Sequence, residues 1–95
     1  MTPSPTDPIR VLIVDDHHVV RLGLRSLLSH TGGFRVVGEA GSVAESVQMA
    51  AQLTPDVVLM DIRLPDGSGV DACRRIKQEN DDIRVVMLTN RKSVV

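Results

Sequence analysis

Four short, mostly apolar runs alternate with segments of helical periodicity along this sequence, and this alternation limits the fold more than any other feature. The runs span residues 9–14, 34–40, 57–62 and 83–88, and valine, leucine and isoleucine dominate them. Such runs, without regular polar alternation, are typical of strands that are covered on both faces, as in a parallel sheet. The order βαβαβαβ therefore predicts an α/β fold in which right-handed crossovers wind helices around a parallel sheet.

The segments between the runs carry signals for three helices. Gly32 and Gly33 are expected to stop the first helix in the left-handed conformation, and Ser42 with Glu45 forms a capping box that starts the second helix near Val43. The third helix is expected over residues 70–79. The inner faces are expected to carry apolar residues at helical spacing: Val20, Leu24, Leu27 and Leu28, then Val47, Ala50 and Ala51, then Val70, Cys73 and Ile76.

The length of the chain allows one domain at most. Residues 1–8 contain three prolines among small polar residues, which predicts a disordered lead-in, and residues 9–95 are assigned to the domain. No apolar run approaches the roughly 20 residues of a membrane helix, and the N-terminus does not resemble a signal peptide. A single cysteine, Cys73, allows no internal disulfide. These features predict a cytoplasmic protein with no membrane partner.

The balance of charge excludes one class of function. The chain has 11 basic and 12 acidic residues and a formal net charge of −1. A domain that binds nucleic acid through its own surface normally has a clear excess of positive charge. We therefore expect no direct binding to DNA by these residues.

Acidic residues follow two of the apolar runs at the point where a functional site is expected. Asp15 and Asp16 come after the first run, Asp61 ends the third, and Thr89 follows the fourth. Sites in open α/β sheets lie beyond the carboxyl ends of the strands, so the acids converge if the first and third strands are neighbours. Two carboxylates about 4 Å apart repel by roughly 4 kcal/mol at an effective dielectric constant near 20. Such a cluster raises a pKa or binds a cation, and oxygen ligands favour Mg²⁺ or Ca²⁺.

A phosphoryl acceptor is the function that best uses this arrangement. Mg²⁺ takes one or two carboxylates, which leaves another aspartate free to act as a nucleophile in phosphoryl transfer. The competing interpretation is that three separate strand-end aspartates are simply solvated. Three acids at matching strand ends favour the site.

Two histidines next to the acids raise a different possibility, a transition-metal cluster. His17 and His18 directly follow Asp16. Consecutive residues that leave a strand point to opposite sides, so few of them are expected to share one ion. The sequence therefore favours the oxygen-ligand site over a transition-metal site.

Three motifs together resemble the receiver domain of two-component response regulators. They are VLIVDDH at residues 11–17, VVGEA at residues 36–40 and PDVVLMDIRLPDG at residues 55–67. The resemblance covers residues 9–89, and it is greatest to the subfamily whose receivers precede a LuxR-type helix-turn-helix domain. It implies a flavodoxin-like (CheY-like), doubly wound sheet with the strand order 2-1-3-4-5.

The resemblance also implies roles for individual residues. Asp61 would be the phosphoacceptor, and Thr89 the switch hydroxyl that turns toward the phosphoryl oxygens. Mg²⁺ would be held by Asp61, by Asp16 directly, by Asp15 mainly through water, and by the backbone carbonyl of Arg63. Such a domain is a phosphoacceptor rather than an enzyme, although it assists its own phosphorylation and dephosphorylation. Its expected partner is a sensor histidine kinase, and it would control transcription through an output domain absent from this chain.

The sequence departs from the family after the fourth strand. The family continues with a helix, a fifth strand closed by a lysine, and a fifth helix, whereas here six residues follow Thr89. Lys77 and Lys92 stand in other places, and Asn90 is larger than the small residue usual there. We therefore expect a partial receiver, truncated before the fifth strand, in which residues 83–88 form an exposed edge that favours homodimers or aggregation.

Two further functions compete with the phosphoacceptor. The first is a degenerate, non-switching receiver fragment that acts only as a protein-interaction module. The second is a metal-dependent phosphatase of the haloacid-dehalogenase type, which also uses an aspartate nucleophile at the end of a strand. That family has a second aspartate two residues after the first, where this chain has Arg63, so the sequence speaks against the phosphatase.

Overall fold

A computed structural model of the protein describes residues 7–88. The strands are β1 (Ile9–Val14), β2 (Phe34–Ala40), β3 (Val57–Asp61), β4 (Arg63–Leu64), β5 (Gly67–Ser68) and β6 (Arg84–Leu88), and the helices are α1 (His18–Thr31), α2 (Val43–Leu53) and α3 (Gly69–Glu79). Four of the strands form one parallel sheet in the order β2-β1-β3-β6, and β4 pairs with β5 in a small antiparallel hairpin. β6 is the fourth strand of the parallel sheet along the chain, so the described residues show the first four places of the expected order 2-1-3-4-5, and the flavodoxin-like fold class is confirmed. The expected lead-in, except for its last two residues, and Thr89 lie outside the described residues.

The main core lies between the sheet and the pair α2 and α3. Alternate residues of β1 and β3 supply its centre, and these are Leu12, Val14, Val58 and Met60. Ala72 and Ile76 of α3 pack against them. Val11 and Ile13 are also buried, but they point to the opposite face, on which α1 packs. Strand β1 is therefore covered on both faces, which explains why its sequence is mostly apolar.

Helix α1 covers the sheet less completely than the other helices. None of its residues is fully buried, and Val19, Leu22 and Leu27 are exposed. The helix ends at Gly32, as the sequence predicted. Gly32 has φ 79° and ψ 157°, so its φ is positive but its conformation is not the left-handed helical one that we expected.

Helix α2 begins at the predicted capping box. The hydroxyl of Ser42 accepts a hydrogen bond from the backbone N–H of Glu45 at 3.1 Å, and the carboxylate of Glu45 accepts one from the backbone N–H of Gly41 at 3.0 Å. Ala50 is buried as predicted, but Ala51 is exposed, and the helix also buries Ser46, which was not predicted. The Ser46 hydroxyl donates to the carbonyl of Val43 at 2.7 Å, which satisfies its burial.

Helix α3 begins one residue earlier than predicted, at Gly69. Its buried residues are Gly69, Ala72 and Ile76, whereas Val70 is 55% exposed and Cys73 is half-buried. The prediction for Val70 was wrong because the start of the helix sets its rotation. Gly69 lies against β3, and the residues three and seven positions later share its face.

The fourth apolar run forms a strand that is less buried than expected. β6 contains no fully buried residue, Val86 is 49% exposed, and the buried Ile83 precedes the strand. Within residues 7–88, β6 pairs only with β3 and is an edge of the sheet. No helix among these residues has the length and apolar character that a membrane span requires.

Candidate functional site

The register of β1 and β3 brings the acidic residues together. Val14 pairs with Met60, so Asp15, which follows β1, and Asp61, the last residue of β3, lie next to each other at the carboxyl edge of the sheet. The potential ligand atoms of Asp15, Asp16, His17 and Asp61 all lie within 4.8 Å of one another. The three carboxylates therefore converge at the place where the sequence predicted a site.

Asp15 and Asp16 differ in burial and in their hydrogen bonds. Asp15 is only 5% exposed, and its Oδ1 accepts a hydrogen bond from the backbone N–H of His17 at 2.8 Å. Asp16 is exposed, and its Oδ1 lies 3.0 Å from the imidazole Nδ1 of His17. Asp15 is thus held by the protein, while Asp16 is open to solvent and to a cation.

His17 belongs to the cluster, contrary to the sequence argument that consecutive residues would diverge. Its Nδ1 also lies 2.9 Å from Oδ1 of Asp15. His17 is the N-cap residue of α1, with extended φ and ψ of −99° and 115°, so the chain turns there and the ring folds back toward the two aspartates. His18 is not part of the group. The position of His17 directly before the first helix, where the chain turns, was the sequence signal that could have placed it in the cluster.

The hairpin after Asp61 is fastened to the start of α2 by Asp66. The carboxylate of Asp66 accepts hydrogen bonds from the backbone N–H groups of Val43 at 2.7 Å and Ala44 at 3.1 Å. These two hydrogen bonds hold the pKa of Asp66 below its ordinary value, and the bond from Val43 has the larger effect. This contact was not predicted from the sequence, because nothing in the local sequence of Asp66 indicates a partner more than twenty residues away.

Arg63 lies in this hairpin, two residues beyond Asp61, and pairs with Ser68. The cluster around Asp61 consists of side-chain atoms alone, so a ligand role for the Arg63 carbonyl stays a prediction.

Gly69 packs directly on the backbone of Asp61. Its N–H donates to the carbonyl of Ile62 at 2.7 Å. A Cβ atom at this position would lie 2.0 Å from the carbonyl oxygen of Asp61 and 2.9 Å from Cγ of Met60. The absence of a side chain therefore lets the first turn of α3 lie against the end of β3, next to the aspartate of the site.

Lys77 lies in the third helix, as expected. Its ammonium group donates to the backbone carbonyls of Asp81 at 2.7 Å and Ile83 at 2.8 Å, in the turn between α3 and β6. Its hydrogen bonds are therefore made at the end of the sheet away from the acidic cluster.

The donor set fits a hard divalent cation. Three carboxylates at one point repel one another unless a positive charge lies between them, and carboxylate oxygens are the ligands that Mg²⁺ and Ca²⁺ prefer. Asp16 and Asp61 are partly accessible, so hydrated Mg²⁺ could enter without disrupting the core.

Comparison with known proteins gives consistent results. The sequence matches the family described as the response regulator receiver domain over residues 11–95. It is 47% identical over 81 residues to the response regulator GacA of Pseudomonas viridiflava and 46% identical over 82 residues to the DNA-binding transcriptional activator DevR/DosR of Mycobacterium tuberculosis. These alignments cover 85% and 86% of this chain and 38% of each relative, so the chain spans about two fifths of their length.

A solved structure supports the same grouping. The crystal structure of a LuxR-family two-component response regulator from Aurantimonas sp. SI85-9A1 aligns with a TM-score of 0.81 and 37% sequence identity. The alignment covers 85% of this chain and 58% of that one.

Proposed function

The chain belongs to the family of response regulator receiver domains, and on that premise we propose that it accepts a phosphoryl group on Asp61 in two-component signalling. The observation that carries the proposal is the convergence of Asp61 with Asp15 and Asp16 at the carboxyl ends of adjacent strands. A nucleophilic carboxylate beside two further carboxylates is the arrangement that metal-assisted phosphoryl transfer requires.

Asp15, Asp16, Asp61 and the carbonyl of Arg63 would hold Mg²⁺. We assign the direct contact to Asp16, because it is exposed, and a contact through water to Asp15, whose Oδ1 already accepts a hydrogen bond from the His17 N–H. When bound, the ion neutralises negative charge on the phosphoryl oxygens and orients them.

The reaction itself is a transfer between two side chains. An oxygen of Asp61 attacks the phosphorus of a phosphorylated histidine on a sensor kinase, and the phosphorus–nitrogen bond breaks. The electron pair of that bond stays on the imidazole nitrogen, and an acyl phosphate remains on Asp61. The domain is changed by the reaction, so it is a phosphoacceptor that assists its own phosphorylation and dephosphorylation rather than an enzyme. Thr89, outside the described residues, would then turn its hydroxyl toward the phosphoryl oxygens.

The output of the signal is proposed to be control of transcription. One relative is named a DNA-binding transcriptional activator, and a structural relative is a LuxR-family regulator. Since the net charge of −1 gives the chain no electrostatic basis for binding DNA, contact with DNA would be made by a helix-turn-helix domain outside these residues.

Intact-mass measurement after incubation with Mg²⁺ and acetyl phosphate tests the proposal. We expect an acid-labile gain of one phosphoryl group that is absent in Asp61→Asn and present in the matched control Asp71→Asn, which changes an exposed aspartate of α3. An adduct that persists in Asp61→Asn would place the acceptor elsewhere. A folded chain that binds Mg²⁺ but gains no phosphoryl group would favour the protein-interaction module instead.

A further inference from the structure

Arg21, one turn into α1, connects three separate parts of the fold. Its Nη1 donates a hydrogen bond to the backbone carbonyl of Asp15, and its Nε donates to Oε1 of Glu39 at 3.1 Å. Its own backbone N–H donates to the carbonyl of His17 at 3.1 Å. The side chain of Arg21 is only 20% exposed, so the guanidinium is enclosed between α1, the end of β1 and the end of β2.

Glu39 fixes the orientation of this guanidinium. Its second carboxylate oxygen accepts a hydrogen bond from Nε of Arg25 at 2.8 Å. The hydrogen bond from Arg25, together with the charges of Arg25 and Arg21, holds the pKa of Glu39 below its ordinary value. Glu39 is therefore ionised at neutral pH, and it largely neutralises Arg21 while leaving one arm of the guanidinium directed at Asp15.

Asp15 is held at its N–H, its carboxylate and its carbonyl by three different residues. Its N–H donates to the carbonyl of Ala40 at 3.0 Å, its carboxylate accepts from the N–H of His17 at 2.8 Å, and its carbonyl accepts from Arg21. That carbonyl belongs to the peptide group that joins Asp15 to Asp16. Fixing it therefore fixes the backbone from which both metal-binding carboxylates extend.

We propose that Arg21 is a positioning residue of the metal site, acting through its hydrogen bond to the Asp15 carbonyl, with Glu39 orienting its guanidinium. This inference rests on the proposed Mg²⁺ site. Partners that orient metal ligands from outside the coordination sphere typically contribute 10–100-fold in metal affinity. We therefore expect loss of the Arg21 guanidinium to weaken Mg²⁺ binding by about tenfold.

Arg25 provides a matched control, because it also donates to Glu39 from α1, whereas the hydrogen bond to the Asp15 carbonyl comes from Arg21. Arg21→Gln and Arg25→Gln each remove one positive charge and one partner of Glu39. Loss of positive charge alone would strengthen the binding of a cation, in the same direction for both variants. A loss of affinity confined to Arg21→Gln therefore reports on the position of Asp15 and not on charge.

Mg²⁺ affinity is measured by calorimetry, because the sequence contains no tryptophan or tyrosine to report binding. The backbone ¹³C′ shift of Asp15 is measured in parallel without metal. We expect Arg21→Gln to raise the Kd for Mg²⁺ about tenfold and to move the Asp15 ¹³C′ resonance upfield, as loss of a hydrogen bond to a carbonyl does. We expect Arg25→Gln to leave that resonance in place and the Kd unchanged or lower. Arg21→Lys keeps the positive charge, but a lysine ammonium lacks the planar guanidinium that bonds the Asp15 carbonyl and the Glu39 carboxylate at once. It should therefore restore only part of the Mg²⁺ affinity.

Two results would contradict the role of Arg21 and leave the proposed metal site standing. One is an equal change of Kd in Arg21→Gln and Arg25→Gln, and the other is an Asp15 ¹³C′ resonance that does not move in Arg21→Gln. A wild-type chain that binds no Mg²⁺ would overturn the proposed metal site, and this inference with it.

Discussion

Substitution of Gly69 by alanine tests whether the start of α3 fixes the end of the acceptor strand. The added Cβ would lie 2.0 Å from the carbonyl oxygen of Asp61, and real Cβ contacts essentially never fall below 3.0 Å, so the two backbones must separate by about 1 Å. The carbonyl cannot rotate away as a side chain could, because it is part of the backbone of β3. The hydrogen bond from the Gly69 N–H to Ile62 would also lengthen from its present 2.7 Å.

The expected cost follows from the behaviour of overpacked interiors. Insertion of a methyl group into a well-packed site typically destabilises a protein by about 1–3 kcal/mol. Small domains are stable by only about 5–15 kcal/mol, so this is a large fraction of the total. With a urea m-value of about 1–2 kcal/mol per M, the midpoint of unfolding should fall by about 0.5–3 M. Displacement of the aspartate by about 1 Å should in addition slow phosphorylation by up to about 100-fold.

Gly23→Ala is the matched control. Gly23 lies inside α1, and no atom lies within 4 Å of the place that its Cβ would occupy, so the substitution meets open space. Alanine is favoured over glycine in a helix by about 0.8–1 kcal/mol, so Gly23→Ala should raise the midpoint of unfolding by about 0.4–1 M. Urea unfolding followed by circular dichroism compares the three chains. A Gly69→Ala midpoint equal to that of wild type or of Gly23→Ala would refute the packing argument.

Three further predictions concern the hairpin, the metal ligands and the sheet edge. Because backbone hydrogen bonds lower the folded-state pKa of Asp66 from the ordinary 3.8, its contribution to stability is complete above that value and is lost as the pH falls through the lowered pKa. The difference in urea midpoint between wild type and Asp66→Asn should thus shrink in acid, and a difference that grows there would contradict the assignment. Calorimetry should show that Asp16→Asn weakens Mg²⁺ binding more than Asp15→Asn, and equal losses would contradict the assignment of Asp16 as the direct ligand. Val86→Lys, in the strand that is an edge of the sheet within residues 7–88, should reduce any self-association of the chain in light scattering, whereas an unchanged profile would show that association does not use this strand.

The four strands of the parallel sheet, the three helices and their order were predictable, whereas the β4–β5 hairpin and the rotation of the helices were not. Runs of branched apolar residues and a capping box are local signals, and β1, β2 and the start of α2 appear where those signals place them. The face that a helix buries depends on what it packs against. Hydrophobicity assigned Ile76 to the core correctly and Val70 wrongly, because the close contact between Gly69 and Asp61 sets the rotation of α3 so that Ala72 is buried and Val70 is not. A glycine such as Gly69, which allows close packing because it has no side chain, cannot be recognised from a hydrophobic pattern.

The carboxylates of the candidate site could be predicted from the sequence, but the residues that hold the surrounding backbone in place could not. Asp15, Asp16 and Asp61 stand at strand ends that the sequence pattern marks. Asp66 and Arg21 act through bonds to backbone groups, and the partners of Asp66 are more than twenty residues away along the chain. Any polar residue can make such bonds, so they have no sequence signature.

One register between β1 and β3 determines both the core and the acidic cluster. Val14 and Met60 are paired and point into the core beneath α2 and α3. Asp15 and Asp61, the next residues along the chain, lie at the carboxyl ends of the same two strands, and their carboxylates converge there. A slip of one residue between β1 and β3 would turn Met60 out of the core and separate the carboxylates in the same step. The packing of the apolar pairs along β1 and β3 therefore keeps the carboxylates of Asp15 and Asp61 close together, although the two negative charges repel each other.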